Sequence, residues 1–188
     1  DLIEDFAARI PVEIIGNLLD VPQQDRGPLR EWSQAILSAL EPSPAQAILT
    51  RGNEAVGEFS AYLKVLITHR QAHPGNPDAD VLTRLIQGET DGEKLTDPEL
   101  LHNCIFLLNA GHETTTNLIG NGLHALITHR SELERLNAEP ALIGSCVEEL
   151  LRFESPIQLN NRFTQLPMTL DGHDVPAGTF ITLAVGSA

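Results

Sequence analysis

Basic residues are scarce in this chain: Lys and Arg total 12 against 26 Asp and Glu, a formal net charge of −14. Nucleic acids and anionic membrane surfaces attract basic patches, so neither is expected as a main partner. Cysteine is nearly absent as well. Cys104 and Cys146 stand alone in apolar helical stretches, with no C-x-x-C pair. That excludes a disulfide framework and the usual zinc spacings, and both thiols read as small buried hydrophobes. No apolar run reaches the roughly 18 residues that a membrane span needs. No secretory leader pattern is visible, so the expectation is a cytoplasmic protein. The chain starts at Asp1 without methionine and stops at Ala188 after an apolar run, so both ends are expected to be cut.

What is present reads as helix after helix. Leu2, Ile3, Phe6, Ala7 and Ile10 keep three- and four-residue spacing, and Pro11 can open a second helix through Leu19. The stripe Leu29, Trp32, Ile36, Leu37, Leu40 predicts a helix stopped by Glu41-Pro42-Ser43-Pro44. Another runs from Val56 to His69-Arg70, where cations suit the negative end of the helix dipole. A loop at 73–78, a short helix Val81 to Ile86 and a polar turn Gly88 to Lys94 follow.

Thr96-Asp97-Pro98-Glu99 has the pattern of a capping box and opens the longest predicted element, about 30 residues ending near His129-Arg130. Its first half, Leu100 to Leu108, is apolar on nearly every side, which predicts burial on every side and a larger surrounding core than this chain supplies. Helices after Ser131 and from Ala141 to Phe153 follow. Beyond Pro156 the pattern changes to short strands, Leu166 to Leu170 and Thr179 to Val185, joined by Asp171-Gly172 and Pro176-Ala177-Gly178. The expected fold class is mainly α with a small β portion: a long central helix, then short strands near the C-terminus.

Inside the long helix, Asn109-Ala110-Gly111-His112-Glu113-Thr114-Thr115-Thr116 departs from good helix-forming sequence. Glycine and three β-branched residues weaken a helix. A threonine hydroxyl can engage a backbone carbonyl and leave a bulge, and a buried carboxylate beside a hydroxyl can relay protons. The same residues also fit a purely structural polar kink. His112-Glu113 invites a zinc-hydrolase reading, but His-Glu-x-x-His requires a second histidine where Thr116 stands. Glu149 and Arg152, three apart, share a helix face and can pair. Arg162 between Asn161 and Phe163 suits either solvent or a carboxylate.

In this order the pieces resemble the cytochrome P450 family. Ala110-Gly111-His112-Glu113-Thr114-Thr115 is similar to its oxygen-activation motif, and Glu149-Leu150-Leu151-Arg152 to its Glu-x-x-Arg helix. Ser155-Pro156, Arg162, Gly172 and Val175-Pro176-Ala177-Gly178 resemble the sheet segment that follows, while Asp5-Phe6, Ile10-Pro11 and Leu18 to Pro22 resemble upstream helices of bacterial members. The resemblance implies that residues 1–188 are part of a single haem-binding domain truncated at both ends, in a monooxygenase that hydroxylates a small organic substrate. O2 and a ferredoxin/reductase-type electron donor are the implied partners.

Carried over, Glu113 and Thr114 would be catalytic, delivering protons and hydrogen-bonding the activated oxygen. Ala110 and Gly111 would leave room over the haem, and Arg162 would bind a haem propionate. Phe106, Asn109, Thr115, Ile157, Gln158 and Leu159 would face the substrate, and Glu149 with Arg152 would form a structural pair. The family's haem-ligating cysteine sits in a loop that neither Cys104 nor Cys146 matches, so no metal ligand is assigned and this piece alone is expected to be inactive. The alternative is a non-catalytic helical binding or scaffold module in which the Ala-Gly-His-Glu-Thr step is only a kink.

Overall fold

The computed structural model describes every residue except Pro42, Ala79, Asp91, Gly92 and Ala188. Pro42 of the predicted helix stop and the tip of the predicted turn at 88–94 therefore lie outside the described residues. The chain divides into two compact units, Asp1–Thr116 and Asn117–Ala188.

The first unit is helical. A π-helical turn, Ile3–Ala7, leads into α1 (Arg9–Leu18), and α2 (Gly27–Ala39) opens with Pro28 in its first turn, where a missing N–H costs nothing. Next come α3 (Gln46–Ala72), α4 (Val81–Gln87) and a two-residue hairpin, β1 (Glu89–Thr90) with β2 (Glu93–Lys94), at the predicted polar turn. Most stripe positions from Leu29 to Ile67 point into one core, whereas Leu2, Ile3 and Phe6 of the first stripe, and Leu40 and Val56, stay exposed. Leu19, Leu29, Phe59, Leu63 and Leu82 are fully buried in that core, and Trp32 stacks on Phe59 with ring centroids 5.1 Å apart. The Trp32 indole N–H donates to Glu58 Oε2 at 2.7 Å, which satisfies the one polar atom that burial of the ring would strand.

Polar clamps close the ends of these helices. Asp80 caps α4, its Oδ1 accepting from the Thr83 amide at 3.1 Å and its Oδ2 from the Thr83 hydroxyl at 2.6 Å. Arg70 at the end of α3 reaches Asp80 at 3.3 Å and also pairs with Asp20, which holds a left-handed backbone at φ 52° after α1.

Helix α5 (Asp97–Thr128) begins in the first unit and runs on into the second. At its start the Glu99 carboxylate accepts from both the Thr96 amide (2.8 Å) and the Thr96 hydroxyl (2.7 Å). The capping box is thus half formed: glutamate reaches back as expected, but the hydroxyl donates to it instead of accepting from the helix. Over 100–108 the structure departs from the sequence expectation. Leu100, Cys104 and Leu108, four apart, are buried in the core, whereas Phe106 is 66% exposed. A single layer of helices covers one side of α5 in this unit and leaves the other open.

The second unit continues with α6 (Arg130–Ala138) and α7 (Ile143–Phe153), then two small antiparallel pairs. β4 (Met168–Leu170) and β5 (His173–Val175) turn through Asp171-Gly172, both left-handed at φ 47° and 77°. That is the geometry a tight two-residue hairpin needs, and glycine adopts it without strain. β6 (Phe180–Leu183) pairs with β3 (Asn160–Phe163), placing Arg162 opposite Ile181. The sequence had left 160–163 outside the strands, because Asn-Asn-Arg-Phe lacks β-branched residues. Cross-strand pairing decides the matter here, not intrinsic propensity.

Candidate active site

The predicted motif lies on α5 without a break in the helix. No bulge forms. The Thr114 hydroxyl donates to the Ala110 carbonyl at 2.8 Å and the Thr116 hydroxyl to the His112 carbonyl at 2.8 Å, so each side chain bonds back onto its own preceding turn. The helix runs unbroken through the step on which a scaffold reading depended.

At 100° per residue, Phe106, Asn109, Ala110, Glu113 and Thr114 fall on one side of α5. That side faces away from the core: Phe106, Ala110 and Glu113 are exposed, and Asn109 and Thr114 half-buried. The expectation of a buried Glu113 carboxylate does not hold in this chain. Thr115, nine positions beyond Phe106, lies half a turn round the helix from it, on the side of Gly111. Asn109 donates its amide to the Ile105 carbonyl at 2.9 Å, which leaves its buried Oδ1 without a hydrogen-bond partner among the described residues. An orphaned acceptor of this kind suits a hydroxyl or water brought in with a ligand.

Gly111 has its own packing reason. A Cβ there would stand 2.8 Å from Ile15 Cδ1, so the missing side chain lets α5 sit closely on α1.

His112, read in the sequence only as a failed metal ligand, proves to be a core residue at 2% exposure. Its Nδ1 lies 3.0 Å from the hydroxyl of Ser33, fully buried on α2. Burial, and secondarily the charge of Arg30, push the His112 pKa below its ordinary 6.5, so the ring is neutral near pH 7. A signal for this contact existed. Ser33 shares the apolar face of Leu29, Trp32 and Ile36, and a buried hydroxyl on such a face needs a partner.

In the second unit, the loop carrying Ile157, Gln158 and Leu159 is exposed; Gln158 donates to the Ser155 carbonyl at 2.7 Å, and its own carbonyl accepts from the Gly186 amide at 3.0 Å. Arg162 is exposed on β3, with Nη1 donating to Asn160 Oδ1 at 2.6 Å and to the Asn161 carbonyl at 2.8 Å. Its own strand thus steadies the guanidinium while the side chain stays open to an anion. Glu149 and Arg152 form the predicted pair as a two-point fork of 2.7 and 2.6 Å, both side chains exposed. The Arg152 hydrogen bonds hold the Glu149 carboxyl below its usual range.

Cys104 is poorly suited to hold a metal as thiolate. Cys104 is fully buried, and desolvation pushes its pKa up to about 11. Cys146 is half-buried on α7 beside a groove of about 400 Å³ lined also by Leu126, Leu136, Leu150 and Phe153. Of the sequence-predicted site residues, Glu149 alone reaches that groove.

The cytochrome P450 family model matches residues 39–188. Over its whole length the chain is 40% identical to the vitamin D(3) 25-hydroxylase of Pseudonocardia autotrophica and 37% identical to a cytochrome P450 of Bacillus subtilis strain 168. It covers 45% of each of those proteins. Among solved structures, P450BioI in complex with hexadec-9Z-enoic acid ligated acyl carrier protein is similar at a TM-score of 0.91 and 36% identity, over 99% of this chain and 47% of that one. The chain therefore belongs to the cytochrome P450 family, of mainly helical fold, and spans about half the length of these relatives. Among the described residues, no helix is long and apolar enough to cross a membrane.

Proposed function

We propose that this chain forms the oxygen-handling wall of a haem-dependent, cytoplasmic monooxygenase that hydroxylates a small organic substrate. The overall reaction takes substrate, O2, two electrons from a ferredoxin-type donor and two protons to hydroxylated product and water. The observation that carries the reading is the single open face of α5 on which Thr114, Glu113, Ala110 and Phe106 converge, in a chain of this family.

Taken unit by unit, the side chains suit a haem: small residues on α5 in the first and an arginine on β3 in the second. Arg162 would hold a propionate through a charge-assisted contact, and Ala110, with no side chain beyond Cβ, would allow the flat ring close to α5. Gly111 would serve the same approach by letting α5 settle on α1. Neither Cys104 nor Cys146 supplies the iron ligand in this reading, so the chain by itself does not catalyse. When bound, haem supplies the iron at which O2 is reduced and cleaved.

The remaining roles belong to side chains of this chain. The Thr114 hydroxyl can turn from the Ala110 carbonyl and donate outward, keeping a hydrogen bond over the reacting oxygen. The Glu113 carboxylate, one position away and open to solvent, collects protons from water and passes them toward that hydroxyl. Phe106 gives the substrate an apolar surface, and Asn109 Oδ1 offers it an acceptor. The resemblance also carries Ile157, Gln158 and Leu159 over as substrate contacts. Thr115, half a turn away from Phe106, stands outside this set. Glu149 and Arg152 act as a structural pair.

Thr114→Ala in the haem-loaded protein that carries this chain tests the reading. Oxygen and reductant consumption should continue while peroxide replaces hydroxylated product. Unchanged coupling would remove Thr114 from the chemistry. Failure to take up haem, or a reduced carbon-monoxide adduct without the red-shifted band of thiolate ligation, would favour the non-catalytic module.

A further inference from the structure

Building on the monooxygenase reading, we propose that His112 and Ser33 are positioning residues: their buried hydrogen bond sets the roll of α5 about its axis and thereby aims Thr114 and Glu113. The ring sits immediately before both residues in sequence yet faces the opposite way, into the core, at 2% exposure. Ser33, its partner at 3.0 Å, is fully buried on α2. Because successive residues are 100° apart, anchoring position 112 fixes the directions of 113 and 114.

The lever is sensitive. For a side-chain oxygen about 6 Å from the helix axis, a roll of roughly 10° moves it by about 1 Å, and a misplacement of that size costs catalysis severely. Among the described residues, the Thr114 hydroxyl bonds only to its own helix, at Ala110, and Glu113 projects into solvent, so neither side chain is anchored to another element. Gly111 adds the second seat, since its close approach to Ile15 sets the distance between α5 and α1 but carries no polar group to set rotation. The His112 carbonyl also accepts from the Thr116 hydroxyl at 2.8 Å, which binds the anchored residue into the turn that follows.

A satisfied core histidine with no link to chemistry is the competing account, and the two differ in what they move. Ser33→Ala, His112→Phe and His112→Asn are made in the haem-loaded protein that carries this chain. Product and peroxide formed per reductant consumed are then measured. Positioning predicts that Ser33→Ala and His112→Phe each raise the peroxide fraction at least about threefold, the scale at which changes in a packed network act at a distance. His112→Asn, which keeps a polar atom near the Nδ1 position, should recover most of the loss. In a Thr114→Ala background, Ser33→Ala should add less than it does alone, because part of its effect runs through that hydroxyl.

A lower melting temperature with an unchanged peroxide fraction in Ser33→Ala overturns the proposal. Should His112→Phe fail to fold, Ser33→Ala, which removes one oxygen atom, still decides. If Thr114→Ala alone uncouples the reaction, the monooxygenase reading stands and the positioning role falls. If Thr114→Ala also leaves coupling intact, both fall together.

Discussion

Residues 1–116 and 117–188 follow the same apolar periodicity and reach different outcomes. In the first unit the stripes of α1 to α4 meet, and Phe59, Leu29, Leu63 and Leu82 lose all contact with solvent. In the second, α6 and α7 bury no residue, and among the described residues from Asn117 onward only Gly120, Gly122 and Ala125 are buried. Helix α7 makes the point best. Leu150 faces α5, where a Cβ on Gly122 would stand 2.8 Å from its Cδ1, yet Ile143, Val147 and Leu151 form a second stripe that is exposed. An amphipathic pattern specifies which face wants cover; a core exists only where another layer supplies it. The relatives, more than twice as long, have chain enough for further layers.

The largest test of this contrast is a pair of phenylalanine truncations followed by urea denaturation of the chain. Phe59→Ala should cost about 3–5 kcal/mol, the usual range for emptying a buried aromatic site. Phe153→Ala, at a residue 51% exposed, should cost less than about 1 kcal/mol. Comparable losses would break the distinction between the two units.

A smaller effect is titratable. The folded pKa of His112 is lowered from 6.5 by burial first and by Arg30 on α2 second, so the unfolded chain binds the proton more readily. Stability contributed by the neutral ring is therefore complete above the unfolded value and is lost as the pH falls through 6.5 toward the lowered folded value. The denaturation midpoint of the first unit should drop between pH 7 and pH 5, and His112→Phe should flatten that slope. Asp80 adds an acid limb in the same direction. Burial raises its pKa, but the Thr83 hydroxyl and amide and the Arg70 charge together hold it below 3.8. Its contribution is present above the unfolded value near 4 and disappears as the pH falls below it. Spectra of the second unit should follow neither change.

The smallest expected effect sharpens the comparison. Glu149→Gln breaks a fork that is open to solvent in this chain, so the denaturation midpoint should hardly move. In a protein where further layers bury the pair, the same substitution should be clearly destabilising, since a buried charge left unpaired is costly. Equal responses in the two contexts would show that Glu149 remains on the surface.

Much of this was legible in the sequence where one helix tells its own story. The stripe of α3, the start of α5 at Thr96 and Glu99, and the Asp171-Gly172 turn follow from local spacing and backbone preference. Two features were not. Strand β3 depends on a partner more than a dozen residues downstream, and the His112–Ser33 bond joins positions 79 residues apart. The motif from Ala110 to Thr114 was visible as a cluster of unusual residue types, but its division into an open face and a buried histidine exists only once α1 and α2 lie against α5. The burial expected all round Leu100–Leu108 failed for the converse reason: composition records what a helix could bury, and neighbours decide what it does bury.

The span of that histidine bond also bears on when the α5 motif is set in place. Closing so long a loop is slow next to forming any single helix. During synthesis α2 leaves the ribosome well before α5, and its serine must wait for a partner that arrives some 80 residues later. The turn from Ala110 to Thr114 is consequently a late acquisition of folding, aligned only after the scaffold beneath it is in place.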